Sequence, residues 1–371
     1  MSELNKGGNG VKNVSKVSLK RGLIVSIGIS VISILFIVAL SRNDFEVESL
    51  QRVKPEYLFL GLAVTVGAWA TRVLRLYVLS RLLGNPIGYF RLFEIYMSAV
   101  FVSHVTPFTS GGLPLQVYLM HKEGQPIGRS TAISVIDSAM TTALLVLLGP
   151  TLLYTYVRRR EYSLSPQVDR LVDVAIAIIV VLAIFIMVLI VKSEILAKLL
   201  RWLSRLRIVR RFISPEKLDS VANWLVREIG QFNRDISDLF RRTRFGFLLA
   251  VVLTFIYWGF YLAIAPVTLL GLGVNPPLVR TLLAQIVFNI IQPFIPTPGG
   301  SGGSEIGFAL LFQSVVPKPR LPIFVSTWRF FTYYASLGVG GLLFYKVIGS
   351  QGRSTAIGAE CDPPVKDTCK P

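Results

Sequence analysis

The chain has 371 residues, 52% of them hydrophobic, with a mean hydropathy of +0.59 and a formal net charge of +18. Its apolar residues fall in long runs rather than at amphipathic spacing, which excludes a water-soluble domain. The positive charge sits in segments flanking those runs, as the preference for basic cytoplasmic loops produces, so it argues for anionic lipid as a partner and against nucleic acid.

Residues 1–20 are polar, carry Lys6, Lys12, Lys16 and Lys20 against Glu3, and read as a disordered cytoplasmic head. The membrane domain is expected over residues 21–346. Its first apolar run, 22–40, is longer than the ~7–15 residues of a cleavable signal and has no small-x-small site after it, so it reads as a retained span. A second span is expected over 57–79. It contains Arg72 and Arg75, which share a helix face in the cytoplasmic half; snorkelling to the interface is expected for Arg75 more than for Arg72. The next stretch, 92–120, is broken by HVTPFTSGGLP (104–114). A span over 130–153 carries Asp137 near its centre, and RRR follows at 158–160.

After a span over 172–191 comes a basic segment, 192–244, with 13 Lys/Arg against 6 Asp/Glu. Within it, Val221, Leu225, Ile229, Phe232, Ile236 and Leu239 mark one amphipathic helix, and KLLRWLSRLRIVRRF before it has the mix of an interfacial segment on anionic lipid. A span over 245–270 leads to a second broken stretch, 278–316, around FIPTPGGSGGSEIGF (294–308). The last span, 321–344, holds Arg329 near its centre, and residues 347–371 read as a disordered tail.

Taking the two glycine-broken stretches as re-entrant hairpins leaves about six crossings and puts both termini and the basic segment on the cytoplasmic side. Eight full spans, the alternative, would put that segment outside. The six-span arrangement leaves Arg158–Arg160 outside, against the charge preference. The expected fold is thus an all-α polytopic membrane protein of about six transmembrane helices plus two re-entrant hairpins. The hairpins then enter from opposite sides, which makes the halves an inverted repeat. The sequence supports duplication: Thr106-Pro107-x-x-Ser110-Gly111-Gly112 recurs as Thr297-Pro298-x-x-Ser301-Gly302-Gly303, displaced by 191 residues, and Arg129 and Arg320 share that displacement.

Pro107 and Pro298 each interrupt a helix, and the glycines, including Gly299 and Gly300 in the second break, let the chain reverse or approach a partner closely. The helix after each break starts inside the membrane with unpaired N–H groups and a positive dipole end, a setting for an anion, and Ser110 and Ser301 are its natural N-caps. Glu305 falls in the first turn of the second such helix, where the dipole favours it. A membrane-depth charge costs ~2.5–3.5 kcal/mol even on a mild scale, so Arg329 and Asp137 need a carboxylate, a cavity or a lipid phosphate. Arg329, Asp137 and Glu305 are either structural ion pairs or, with Arg72 and the two half-helix starts, a head-group site. Gln116, Asn289 and Gln292 are membrane-depth polar groups that either line the same path or bond helix to helix.

The motifs TPGGSGGSE (297–305), TPFTSGGLPLQVYLM (106–120) and STWRFFTYYASLGVG (326–340) resemble the lysylphosphatidylglycerol synthase transmembrane region, the flippase-like or UPF0104 membrane family, over residues 22–346. The resemblance implies a translocator of anionic or aminoacylated phospholipid in the cell membrane. Fused members also carry a soluble aminoacyl-transferase domain; here about 25 residues follow the last span, so that domain is expected to be absent and a separate synthase or transferase becomes a candidate partner.

A secondary carrier for a small anionic solute would use the same breaks and Arg329, and a membrane enzyme acting on a lipid-linked substrate is the third reading. No nucleophile–base set or phosphate-binding nucleotide loop stands out, so no enzyme activity is expected. The two cysteines, Cys361 and Cys369, both lie in the polar tail and make no four-ligand metal site, the two histidines, His104 and His121, are equally insufficient for zinc, and no cofactor is implied.

Overall fold

A computed structural model describes residues 54–158 and 244–359, apart from residue 314, together with the isolated helical positions Ile24, Ile27, Gly28 and Ile32; within the two long stretches side chains are described for 54–145 and, again apart from residue 314, 245–347. The expected spans over 22–40 and 172–191, most of the basic segment 192–244 and the head 1–20 lie outside the described residues.

The described chain is all-helical. In order it runs α1 (Pro55–Leu82), α2 (Tyr89–Val105), α3 (Gly112–Lys122), α4 (Ile127–Arg158), α5 (Arg244–Gly271), α6 (Leu278–Ile291), α7 (Gly303–Phe312), α8 (Leu321–Arg329) and α9 (Ala335–Ala359). Short 3₁₀ turns over Pro107–Thr109 and Pro298–Gly300 form the two breaks, and one π turn, Phe330–Tyr334, joins α8 to α9. Two helices, α1 and α5, are long and apolar enough to cross a bilayer by themselves. Both turn apolar side chains outward, among them Phe59, Leu60 and Val66 on α1 and Leu248, Phe255 and Ile256 on α5, while their polar residues Thr65, Arg75 and Thr254 are buried. This inside-out arrangement suits lipid as the solvent.

Local sequence explains the ends. Pro55 occupies the first turn of α1 with Glu56 beside it, and Gly84 and Asn85, both at positive φ, end the turn after it. In α5, Pro266 lies inside the helix and cannot donate to the carbonyl four residues back. That carbonyl, on Leu262, accepts instead from Gln285 Nε2 of α6 at 2.7 Å, so the proline's missing bond becomes an interhelical one. The expected last span is interrupted by the π turn, and α9 runs on to Ala359. The helix thus extends past residue 347, where the tail was expected to begin, and residues 360–371 lie outside the described residues.

The halves follow one plan. Gly112 and Gly303 begin the helices after the breaks, displaced by 191 residues as the motif is. The order α1–α2–break–α3–α4 is matched by α5–α6–break–α7–α8–α9. α1 packs along α5; α2 packs on α9, while α6, the counterpart of α2, packs on α4. The paired arginines also act alike. Arg320 donates from Nη1 to the carbonyls of Leu272 (3.1 Å) and Gly273 (3.3 Å) after α5, and the Arg129 guanidinium lies beside Gly84 after α1.

The core is split accordingly. One cluster joins Phe288, Phe308, Phe312, Phe324 and Trp328, with the Phe308 and Trp328 rings stacked at 3.7 Å; the other joins Leu76, Leu92, Met97, Leu119, Met120 and Ile133. The α2–α9 seam depends on a glycine, since a side chain at Gly340 would collide with the Met97 carbonyl and Phe101. Gly340→Val is therefore expected to destabilise the protein by about 1–3 kcal/mol, the usual range for forced overpacking, which a lowered thermal unfolding midpoint in detergent would register.

Candidate functional site

The polar residues inside the bundle gather at two centres. The first lies where α1, α4 and α5 meet. Asp137, 1% exposed, accepts from two arginines: Arg75 through Nε (2.8 Å) and Nη2 (2.5 Å) on Oδ1, and Arg72 through Nε and Nη2 (both 3.1 Å) on Oδ2. Arg75 is fully buried and also donates to Thr254 Oγ1 (2.9 Å) and Thr141 Oγ1 (2.6 Å). The Arg72 side chain is 21% exposed and lies over the rings of Tyr96 (5.2 Å) and Tyr257 (5.7 Å). Two guanidinium groups on one carboxylate leave this centre one positive charge in excess among the described residues.

The second centre is the break before α7. Glu305 Oε1 accepts from Arg329 Nε at 2.7 Å, and its Oε2 accepts from the Gly302 N–H at 2.7 Å. Arg329 Nη2 donates to the Gly299 carbonyl (3.2 Å), and its guanidinium stands 4.4 Å from the centre of the Tyr333 ring. Both members of the ion pair are buried. The Tyr333 and His104 rings meet at a tilt, with centres 4.8 Å apart, and His104 Nδ1 is 3.3 Å from Ser336 Oγ. The buried hydroxyls of Ser301, Ser304 and Tyr333 have no hydrogen-bond partner among the described residues. Tyr333 Oη lies 2.9 Å from where a side chain on Gly299 would start, and Ser304 Oγ lies 2.7 Å from the equivalent point on Gly300.

The first break is in contact with the second: Pro107–Thr109 touches Pro298–Gly300, and the His104 carbonyl packs against Gly299. At their second and third residues the two turns also share a positive φ. Phe108 and Thr109 (φ 53° each) occupy the left-handed region taken by Gly299 (62°) and Gly300 (66°). For residues with side chains this costs about 1–2 kcal/mol each, and a β-branched residue such as Thr109 is an outlier there. The environments differ: Gly299, Gly300 and Ser301 are buried, whereas Phe108, Thr109 and Ser110 are exposed.

Several sequence expectations change. Ser110 and Ser301 are not N-caps. The cap positions are Gly111 and Gly302, because each helix begins at the second glycine of its pair. Ser110 Oγ donates back to the Pro107 carbonyl at 2.9 Å. The motif threonines close the turns instead: the Gly111 N–H donates to Thr106 Oγ1 (3.0 Å), and Thr297 Oγ1 donates to the Ser301 carbonyl (2.7 Å). Gly112 and Gly303 give the space in which α2 and Ile295, respectively, approach the helix starts, and Pro298 opens the second turn.

Arg75, expected to reach the interface, is the more deeply held of its pair; Asp137, Thr141 and Thr254 supply what water would have. The contacts of Arg72 and Asp137 form one group and those of Arg329 and Glu305 another. Tyr257 and Tyr261, stacked at 5.9 Å, lie between them, and Tyr261 is within electrostatic range of both Arg72 and Arg329. Gln116 bonds helix to helix, donating to Ser134 Oγ at 3.1 Å, while Asn289 donates to the Gln285 carbonyl in its own helix.

Sequence reasoning missed Tyr96, Thr254, Tyr257, Tyr261, Tyr333 and the placement of His104. Thr254, Tyr257 and Tyr261 did carry a signal, a polar-tipped stripe at steps of three and four on an otherwise apolar helix.

The family described as the lysylphosphatidylglycerol synthase TM region matches residues 23–340. A protein named as a UPF0104 membrane protein, from Archaeoglobus fulgidus, is 25% identical over 334 residues, which are 89% of this chain and 97% of that protein. No solved structure matches at a significant level.

Removing the shared carboxylate strands buried Arg75 and half-buried Arg72, whereas removing Arg72 still leaves a balanced pair. Asp137→Ala is expected to cost about 3–5 kcal/mol and Arg72→Ala distinctly less. Thermal unfolding of the two variants side by side gives the order; equal losses would contradict the shared-carboxylate arrangement.

Proposed function

The chain belongs to the lysylphosphatidylglycerol synthase TM region family, and from that premise we propose that it translocates an anionic or aminoacylated phospholipid head group between leaflets. The observation that carries the proposal is the meeting of the two glycine breaks at a buried Arg329–Glu305 pair ringed by unpartnered hydroxyls. A bilayer-embedded chain tolerates broken helix where it is packed in protein or lines a polar path. Here the broken segments come together, as the ligand sites of repeat-built transporters do.

In the proposed mechanism the lipid phosphate approaches Arg72, whose guanidinium is partly exposed beside Tyr96 and Tyr257. It passes the tyrosine pair and competes with Glu305 for Arg329, while Ser301, Ser304 and Tyr333 donate to its oxygens. On an aminoacylated lipid, Glu305 and Asp137 receive the ammonium. The acyl chains remain in lipid as the two halves rock about the shared breaks. The same reading takes the halves as an inverted repeat with re-entrant breaks and residues 192–244 as a cytoplasmic anchor on anionic lipid. It places the protein in the cell membrane as a translocator rather than an enzyme, working beside a separate synthase or transferase.

The deep burial of Arg329 and Glu305 favours one second reading, a carrier that closes around a small soluble anion. Solute-dependent stabilisation or uptake would support it.

The decisive assay is leaflet exchange of labelled phosphatidylglycerol, aminoacylated phosphatidylglycerol and phosphatidylcholine in liposomes holding the protein. Arg329→Gln combined with Glu305→Gln removes the charges together and keeps both an acceptor for the Gly302 N–H and a donor for the Gly299 carbonyl, so the fold is expected to survive. Exchange by this double variant is expected to fall about tenfold or more, about 1.4 kcal/mol in the barrier. A folded wild-type protein that exchanges none of the three lipids faster than empty liposomes would overturn the proposal.

A further inference from the structure

We infer that Phe108 and Thr109 form a contact site for the ester region of a phospholipid, at the mouth of the junction between the two breaks. The inference rests on the translocator reading and adds to it the two residues at the unmatched positions of the repeated motif.

The two turns match in positive φ at these positions but carry different side chains. At the second turn glycine is required twice over. The left-handed φ favours it, and any side chain on Gly299 would meet Tyr333 and the His104 carbonyl, just as one on Gly300 would meet Ser304 Oγ. At the first turn the conformation is the same, but its outer side is open. Phe108 is 54% exposed, and Thr109 and Ser110 are exposed beside it. Glycine would fit that space and conformation without strain. A bulky residue and a β-branched one stand there instead, and neither gains the burial that would offset the conformation. Strain that no burial among the described residues offsets points to a contact beyond them.

The chemistry of that contact follows from its surroundings. The turn touches Gln292–Phe294 as well as Pro298–Gly300, and Phe294 is 65% exposed. Two exposed aromatic rings next to the hydroxyls of Thr109 and Ser110 present apolar and hydrogen-bonding surface side by side. The part of a phospholipid with the same mixture is the glycerol backbone, with ester carbonyls on one side and the first methylenes on the other. The rings take the methylenes, and the Thr109 hydroxyl donates to an ester oxygen.

Photocrosslinking with a phospholipid bearing a diazirine close to its ester tests the contact directly in the wild-type protein in liposomes. The label is expected on the peptide containing 107–110, and its absence there would overturn the inference. The variants separate strain from contact. Phe108→Gly with Thr109→Gly relieves the backbone and is expected to raise the unfolding midpoint while lipid exchange falls several-fold. Phe108→Ala keeps the left-handed strain but loses the ring, and exchange is expected to fall without any gain in stability. Phe108→Leu, which restores apolar bulk, is expected to recover most of the rate. A glycine double variant that is more stable and exchanges lipid at the wild-type rate would sink the inference and leave the translocator reading standing. Crosslinking at 107–110 in a protein that exchanges no lipid would do the reverse. For Thr109→Val, the preference for ester-linked over ether-linked lipid is expected to shrink, a change that a purely structural role would not produce.

Discussion

One carboxylate organises the second break, and much of the interior is arranged around it. A helix that starts within a bilayer has no water for its first N–H groups, and a guanidinium at that depth has no water for its charge. Glu305 meets both demands, with one oxygen on the Gly302 N–H and the other on Arg329. Arg329 in turn holds the Gly299 carbonyl, so the turn is fixed at its beginning and its end through a single ion pair. The glycines before it follow from the same requirement. Gly302 takes φ 88° to bring its N–H to Glu305, and Gly299 and Gly300 curl tightly enough for Tyr333 and His104 to close over them. Without the pair, the break would leave unpaired backbone in a low-dielectric interior, where each such group costs several kcal/mol.

The halves share a backbone plan but not a charge plan. Displaced by 191 residues, Glu305 corresponds to Pro114, Arg329 to Ser138 and Asp137 to Trp328. The second half keeps its charges at the break, buried and balanced. The first half keeps them on its long helices, where two arginines share one aspartate and one arginine remains partly exposed. Its own break is left with neutral side chains on open surface. On the translocator reading this asymmetry has a use: an attractive outer site with excess positive charge, and an inner site that admits an anion only by displacing Glu305.

Much of this was legible in the sequence, and the limits have physical causes. Long helices were readable because apolar runs of ~20 residues have few other uses. The start of each half-helix at its glycine pair, and the place of Glu305 in the first turn, could be read from local chemistry. Capping could not: serine is a good cap in general, but here a threonine reaching forward and a glutamate reaching back took the role. Depth along a span suggested that Arg75 would snorkel. That inference failed because it considered one helix, whereas the three groups that hold Arg75 come from two others. The bond from Gln285 to the carbonyl freed by Pro266 is of the same kind, since both needs were visible in the sequence but not their meeting in space.

The tyrosines between the two centres bear on how those centres could communicate. A guanidinium held against a carboxylate in a dry interior does not exchange that partner for solvent, since the cost of an unpaired charge there exceeds what a lone hydrogen bond returns. An aromatic ring changes the balance by offering a diffuse negative face that can follow a cation through small shifts without a fixed bond. Arg72 already lies over two such rings and Arg329 over another. Tyr257 and Tyr261, one helical turn apart on α5, continue the sequence of rings between them. On the proposed function, an anion moving from one arginine to the other would cross hydroxyl and ring surface rather than bare hydrocarbon. Each guanidinium it left would still face a carboxylate and an aromatic ring, so neither charge would stand alone at any stage of the passage.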